Sequence, residues 1–334
     1  MSQESPQFFK DKCILVTGGA GFIGSNLCEA LLAEGARVVC LDNFSTGYPR
    51  NILSFTTNPA FELMVGDIRN PADCRKACDG VEYVLHHAAL GSVPRSIEDP
   101  ATTDAVNVGG FVNMLIAARD AGVKRFIYAA SSSTYGDSEA LPKVEEKIGR
   151  PLSPYAVTKY VNELYADVFA RTYGMETIGL RYFNVFGRRQ DPQGAYAAVI
   201  PKFVMQLMAQ QSPVINGDGT FSRDFTYIDN VIQINLLAMQ TDNPEALNTV
   251  YNVAFGERTS LNKLADILKN LLSANDSAIS DVPILHGAER IGDVPHSQAS
   301  IEKARRLLGY NPAYSLSEGL KKAVGWYIEN LKSK

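Results

Sequence analysis

Through its first 180 residues the chain alternates short apolar runs with stretches whose apolar positions recur every three or four residues. The runs CILVTG (13–18), RVVCLD (37–42), FELMVGD (61–67), VEYVLHHA (81–88), RFIYAAS (125–131) and TIGLRY (177–182) read as strands. Between them, segments such as 22–34, with Ile23, Leu27, Ala30 and Leu31 on one face, read as helices. Strands alternating with helices of this length predict right-handed crossover units, and therefore a parallel sheet covered on both faces. After residue 183 the rhythm changes. Gly and Pro punctuate 181–201, TVYNVAFG (249–256) reads as a late strand that returns to the first sheet, and 261–272, 301–309 and 316–332 are amphipathic helix candidates. The expected division is a first α/β unit over 1–182, rejoined by 226–256, and a smaller mixed α/β unit over 183–225 and 257–334.

Composition narrows the class without naming a chemistry. The chain has 334 residues, 46% apolar and 20% charged, with a formal net charge of -4, so it is long enough for a large core and carries no basic footprint for nucleic acid. No uninterrupted apolar stretch reaches the roughly 18 residues of a membrane span, and the start lacks the basic flank of a signal peptide. Five cysteines at 13, 28, 40, 74 and 78 fit buried thiols in a reducing cytoplasm. Cys74 and Cys78 could share a helix face, but no second ligand pair completes a metal site, and none is expected. His86, His87, His286 and His296 have no metal spacing and are assigned no chemistry.

The first chemical signal is ILVTGGAGFIG, which sets Gly18, Gly21 and Gly24 between a predicted strand and a predicted helix. The first glycine allows the tight turn, the second lets backbone approach a phosphate, and the third lets helix pack on strand. This is the context a Rossmann-type, doubly wound dinucleotide fold requires. Asp42 closes the next strand, 18 residues beyond Gly24, where a carboxylate accepts both ribose hydroxyls and repels a 2′-phosphate, favouring NAD over NADP. Asp67, at the following strand end, is placed to reach the adenine.

The second signal is SPYAVTKYVNE (153–163). Ser153 suits an N-cap and Pro154 the first helical position, so Tyr155 and Lys159 fall four apart on one helix face. An ammonium beside a phenol favours the phenolate, which would bring Tyr155 toward neutrality as a general base. SSSTYG (131–136) follows a strand at the sheet edge where ligands bind, and a hydroxyl there could orient a substrate alcohol.

With TGGAGFIG, the serine-rich strand end and Tyr-x-x-x-Lys followed by RYFNVFG, the chain resembles the extended short-chain dehydrogenase/reductases. Within them it resembles the bacterial UDP-N-acetylglucosamine 4-epimerases, from about residue 12 to 331, most specifically over 86–100, 131–137, 181–201 and 216–230. The resemblance implies an NAD-binding first domain and a UDP-sugar substrate domain. In the reaction it implies, Tyr155 takes the proton of the sugar 4-hydroxyl while hydride leaves carbon 4 for tightly held NAD, and the 4-keto sugar turns over before the hydride returns. Lys159 would hold the nicotinamide ribose, and Ser132 and Ser133 are both candidates to contact the 4-oxygen. Phe22, Ile23, Asn43, Ser45, Thr46, Gly47, Ile68, Ala88, Asn107 and Val185 are implied cofactor contacts. Ser92, Asn184, Val199, Asn216, Arg223, Arg290, Asp293 and Ser297 are implied substrate contacts, with the two arginines on the pyrophosphate. The position of Ser297 gates the hexose pocket in this family, and a serine leaves room for a 2-acetamido group.

The same resemblance implies a homodimer through helices near 107–121 and 157–173, and a supply of UDP-N-acetylgalactosamine for surface polysaccharide. A sugar-nucleotide 4,6-dehydratase is disfavoured because Ser-Ser-Ser-Thr-Tyr lacks the Asp-Glu pair that elimination needs. A UDP-uronic acid 4-epimerase stays open, with Arg95 and Arg188 as candidate partners for a carboxylate. A non-catalytic dinucleotide sensor on the same fold is the reading from another class.

Overall fold

The computed structural model describes residues 8–192, 198–289 and 294–331. Its centre is one parallel sheet. Strands β1 (Cys13–Thr17), β2 (Arg37–Asp42), β3 (Phe61–Val65), β4 (Tyr83–His86), β5 (Arg125–Ser131) and β6 (Glu176–Tyr182) are joined by Thr249–Val253, which pairs parallel to β6. Across the sheet the order runs β3-β2-β1-β4-β5-β6 and then Thr249–Val253. The order reverses between β1 and β4, which opens a crevice at their carboxyl ends.

Helices α1 (Phe22–Ala33), α2 (Pro71–Cys78), α3 (Val93–Glu98), α4 (Pro100–Asp104), α5 (Gly110–Asp120) and α6 (Pro154–Tyr173) belong to the first part of the chain. They are followed by α7 (Val199–Met208), α8 (Ile228–Gln240), α9 (Leu261–Ser273), α10 (Glu302–Leu308) and α11 (Leu316–Leu331). Successive residues of a strand serve opposite layers. Ile14 and Val16 pack with Leu27, Leu31 and Cys40 on one face, and Leu15 packs with Val84, Phe111 and Phe126 on the other. Continuous apolar runs with both faces covered are the reason these segments become parallel strands. The edge strand β3 is the exception, with Val65 exposed and Leu63 half out. The strands predicted over 61–67 and 81–88 end earlier, at Val65 and His86, because the chain turns there toward the crevice.

Helix α6 is defined at both ends by its sequence. Ser153 Oγ accepts from Ala156 N at 3.2 Å, Pro154 fills the first turn, and Gly174 closes the helix at φ +68°. It is fixed to the sheet by Glu163, whose carboxylate receives two bonds from the buried Arg181 of β6, at 2.9 and 2.7 Å. Removing one partner of such a pair costs about 3–5 kcal/mol, because the other charge stays buried. Between α4 and α5 the helix continues as a π-turn over Ala105–Gly109. Residues after 183 contribute short pairs: Val185–Phe186 beside Thr226–Tyr227, Ser222–Arg223 beside Thr259–Ser260, and Val214–Asn216 beside Leu285–Gly287. Among the described residues no helix is long and apolar enough to cross a membrane.

Candidate active site

The crevice at the β1/β4 switch point holds a cavity of about 450 Å³. Its floor is the glycine-rich turn. Gly18 sits at φ +68°, where a Cβ would press on Ala88 N at 2.8 Å, and a Cβ on Gly24 would run into the Gly18 carbonyl. The turn is thus closed to any side chain at either position. Gly21 caps α1 with no side-chain bond, and the first turn of that helix carries no acidic residue. Its N–H groups are left to an anion from outside the helix.

Asp42, buried at the end of β2, accepts from Ala20 N at 2.9 Å and Phe44 N at 2.7 Å. Burial raises its carboxyl above the usual range, against the pull of those two N–H groups. Asn43, Ser45 and Thr46 line the cavity beside it, with Ser45 N bound to Asn43 Oδ1. Asp67 also lines it, and its carboxylate is held well below the usual range by bonds from Arg69, with Asn43 adding a further bond at 2.9 Å. Phe22, Ile23, Ile68 and Ala88 reach the wall. Gly47, Asn107 and Val185 are not among the residues that line the cavity. Gly47 abuts the Ala20 backbone, and Val185 O receives Gln190 Nε2 at 3.0 Å. Asn107, expected to line the cleft, is buried in the π-turn and spends its amide on Leu90 N, Leu90 O and Thr158 Oγ1. It ties the loop after β4 to α6.

The Tyr155 and Lys159 side chains meet the cavity from α6, and Ser131 meets it from the end of β5. Lys159 is buried, donates to Ala129 O at 2.9 Å, and is pushed down to about 8 by desolvation. The Tyr155 phenol is not depressed as the spacing predicts. Burial raises it, and hydrogen bonding with Ser131 offsets part of the rise. The reason is geometric: the ammonium lies 6.0 Å from the ring centroid and is directed at a backbone carbonyl. The serine interacting with Tyr155 is Ser131, the last residue of β5, and not Ser132 or Ser133. Ser133 donates to it from Oγ at 2.8 Å, and Ser132 opens the same 3-10 turn half-buried.

His87, just past the end of β4, lines the cavity, in keeping with a structural or cleft-lining reading of the 86–87 pair. Its ring stacks on Tyr182 at 5.9 Å, Nε2 lies 3.3 Å from Asn235 Oδ1, and burial pushes it down to about 3, so it stays neutral. His86 is a core residue bound to Thr17. All five cysteines are free and buried, and among the described residues no His, Cys, Asp and Glu cluster could hold a metal.

The candidate substrate residues converge in part. Arg223 donates to the Ser222 and Pro295 carbonyls at 3.0 and 3.2 Å, and Ser297 N donates to Ser222 O at 3.0 Å. Asn184, at φ +34°, reaches the Asp224 carbonyl at 3.0 Å. These three therefore lie on segments bonded to one another. Ser92 stands apart at the head of α3, at φ +151°, accepting from Arg95 N. Val199 opens α7, and Asn216 ends a short strand in register with Gly287. Arg290 and Asp293 lie outside the described residues. Arg188, a candidate for a uronate carboxylate, is engaged instead by Asp229 at 2.5 Å and Glu29 at 3.8 Å.

A nicotinamide dinucleotide fits these donors. Gly18, Gly21 and Gly24 bring no side chain to the turn where a pyrophosphate would approach, the uncapped α1 turn supplies N–H groups, and Asp42 offers remaining lone pairs to a ribose. His87 Nδ1 is buried on the cavity wall with no partner, a polar atom left for a ligand to satisfy.

Residues 14–254 match the sequence profile of the NAD dependent epimerase/dehydratase family. A putative UDP-glucose 4-epimerase of Methanocaldococcus jannaschii is 39% identical over 95% of this chain and 99% of its own length. Among solved structures, UDP-N-acetylglucosamine 4-epimerase from Methanobrevibacter ruminantium, in complex with UDP-N-acetylmuramic acid, superposes with a TM-score of 0.89 at 37% identity, covering 96% of this chain and 99% of that one. UDP-glucuronic acid 4-epimerase from Bacillus cereus, with UDP-glucuronic acid and NAD, gives 0.86 at 31% identity, covering 95% and 99%.

Proposed function

The chain belongs to the NAD dependent epimerase/dehydratase family, and on that footing we propose that it is a UDP-hexose 4-epimerase acting on N-acetylated sugars. It interconverts UDP-N-acetylglucosamine and UDP-N-acetylgalactosamine, with weaker action on UDP-glucose and UDP-galactose. The observation that carries the chemistry is the meeting of Ser131, Tyr155 and Lys159 in the cavity that the glycine turn floors.

Bound NAD supplies a reversible hydride acceptor for sugar carbon 4. The chain's own groups do the rest. Tyr155 takes the proton from the 4-hydroxyl and gives one back when the sugar is reduced from its other face. Desolvation in the cleft resists ionisation of this phenol and its interaction with Ser131 offsets part of that rise, while Lys159, turned to Ala129 O, is left to hold the nicotinamide ribose. Ser133 fixes the Ser131 hydroxyl, and Ser132 or Ser133 orients the 4-oxygen. Arg223 and Arg290 hold the pyrophosphate, so the hexose can turn over without leaving. Asp293 takes the uridine ribose, and Val199 with Asn216 the uracil. Ser297, small and on a segment whose backbone is bonded to Ser222, leaves volume for the acetamido group. The first unit, 1–182 with 226–256, serves the cofactor, and 183–225 with 257–334 serves the sugar nucleotide.

The uronate alternative is weakened by the pairing of Arg188 with Asp229 and Glu29. A homodimer through α5 and α6 is supported by the exposed apolar residues they present, Ile116 on the first and Val157, Leu164 and Val168 on the second. Incubating the purified protein, with no NAD added, with UDP-N-acetylglucosamine, UDP-glucose and UDP-glucuronate tests the reading. It predicts conversion of the first at the highest rate. Exclusive conversion of the uronate, or none of the three with NAD present, would sink it.

A further inference from the structure

Asp224 is fully buried between the short strands Ser222–Arg223 and Thr226–Tyr227, and its bonds run to segments far apart in sequence. Its Oδ1 accepts from Phe255 N at 3.2 Å and Gly256 N at 3.3 Å, just after the strand Thr249–Val253. Its Oδ2 accepts from Gly256 N at 3.2 Å and Ala299 N at 3.2 Å. Its own carbonyl receives Asn184 Nδ2 at 3.0 Å. The neighbours of these atoms in sequence are the candidate substrate residues: Arg223 directly before Asp224, and Ser297 two residues before Ala299. Among the described residues no cation forms a salt bridge with it, so the backbone N–H groups are what stabilise it.

We propose that Asp224 is a positioning residue of the sugar-nucleotide site: its carboxylate fastens the segments bearing Asn184, Arg223 and Ser297 into one wall. This rests on the UDP-sugar reading of the site. An anion can serve four acceptor bonds with two oxygens, whereas the isosteric amide offers one oxygen and turns an NH2 against a backbone N–H. Burial pushes the Asp224 carboxyl up to about 7, so the fastening form is poised near neutrality rather than secured far below it. The groups around it are Arg223 on its own segment, Glu257 after the strand 249–253, His296 on the segment before Ala299, and Tyr310 after α10.

The test compares wild type with Asp224→Asn, using calorimetric binding of UDP-N-acetylglucosamine, retained NAD by absorbance, and kcat. A tenfold or larger rise in Kd is expected, with NAD content unchanged and kcat within about threefold, since Tyr155 and Lys159 belong to other elements. A folded variant whose Kd stays within twofold of wild type overturns the inference, as does a loss confined to kcat. Should the variant not fold, wild-type Kd is followed from pH 8 to 6, where the pyrophosphate diester does not titrate. Weaker binding as Asp224 gains its proton supports the fastening, and a flat profile overturns it. Wild type that binds the nucleotide without epimerising it would end the epimerase reading and leave this inference standing. Wild type that does not bind it overturns the inference.

Discussion

The cofactor wall of the cleft and the proposed sugar wall each hold a buried aspartate that accepts backbone N–H groups, and they differ in where those groups come from. Asp42 draws on Ala20 and Phe44, neighbours across one strand–turn–helix unit. Asp224 draws on residues 31, 32 and 75 positions away. The cofactor wall is therefore a local motif repeated by the periodicity of the sheet, and it keeps its shape wherever a parallel strand feeds a helix. The proposed sugar wall is an assembly of distant segments. Its geometry depends on segments from both parts of the chain coming together, and substrate choice within one fold can change there without disturbing the first wall.

Tyr155→Phe should have the largest effect, because it removes the group between the walls and leaves both intact. Turnover should drop about a thousandfold while NAD and UDP-sugar still bind, as read by rate and by calorimetry. Loss of NAD from that variant would show instead that the phenol is part of the cofactor wall. Asp42→Asn should act on the cofactor wall alone. Affinity for NAD should weaken roughly 10- to 100-fold, the worth of a charged hydrogen bond, with the sugar KM little changed. A parallel loss of sugar affinity would deny the separation of the walls. Ser297→Tyr should act on the sugar wall alone, lowering kcat/KM for UDP-N-acetylglucosamine about tenfold or more while sparing UDP-glucose. Equal loss on both sugars would show that Ser297 does not gate the pocket.

The difference between the walls is also the difference between what could and could not be read from the chain. The glycine turn, Asp42 and the parallel sense of the strands were legible because each is encoded within a few residues by spacing and helix–strand alternation. Helical periodicity likewise placed Tyr155 and Lys159 on one face. It could not foresee that the Lys159 ammonium would be turned to Ala129 O, because that carbonyl belongs to another strand. Ser131 was passed over because a residue at the last position of a strand carries no sign of whether it faces core or cleft. Asp224 sits in a recognisable segment beside Arg223, yet its partners are main-chain N–H groups, which have no residue type to recognise. Arg188 looked available for a carboxylate, and only the packing of α1 and α8 shows it engaged.

The π-turn over Ala105–Gly109 makes the lengths of this gene matter as much as its letters. Such a turn holds one residue more than the α-helix around it, and each residue advances a helix by about 100°. A single-codon deletion there would be absorbed by a return to regular helix, leaving α5 its core-facing side while rotating Asn107 away from Leu90 and Thr158. The loop after β4 would lose its tether although no side chain of the cavity had changed. Insertions and deletions at this one place are therefore a route by which heredity could retune the cleft without touching a reacting group.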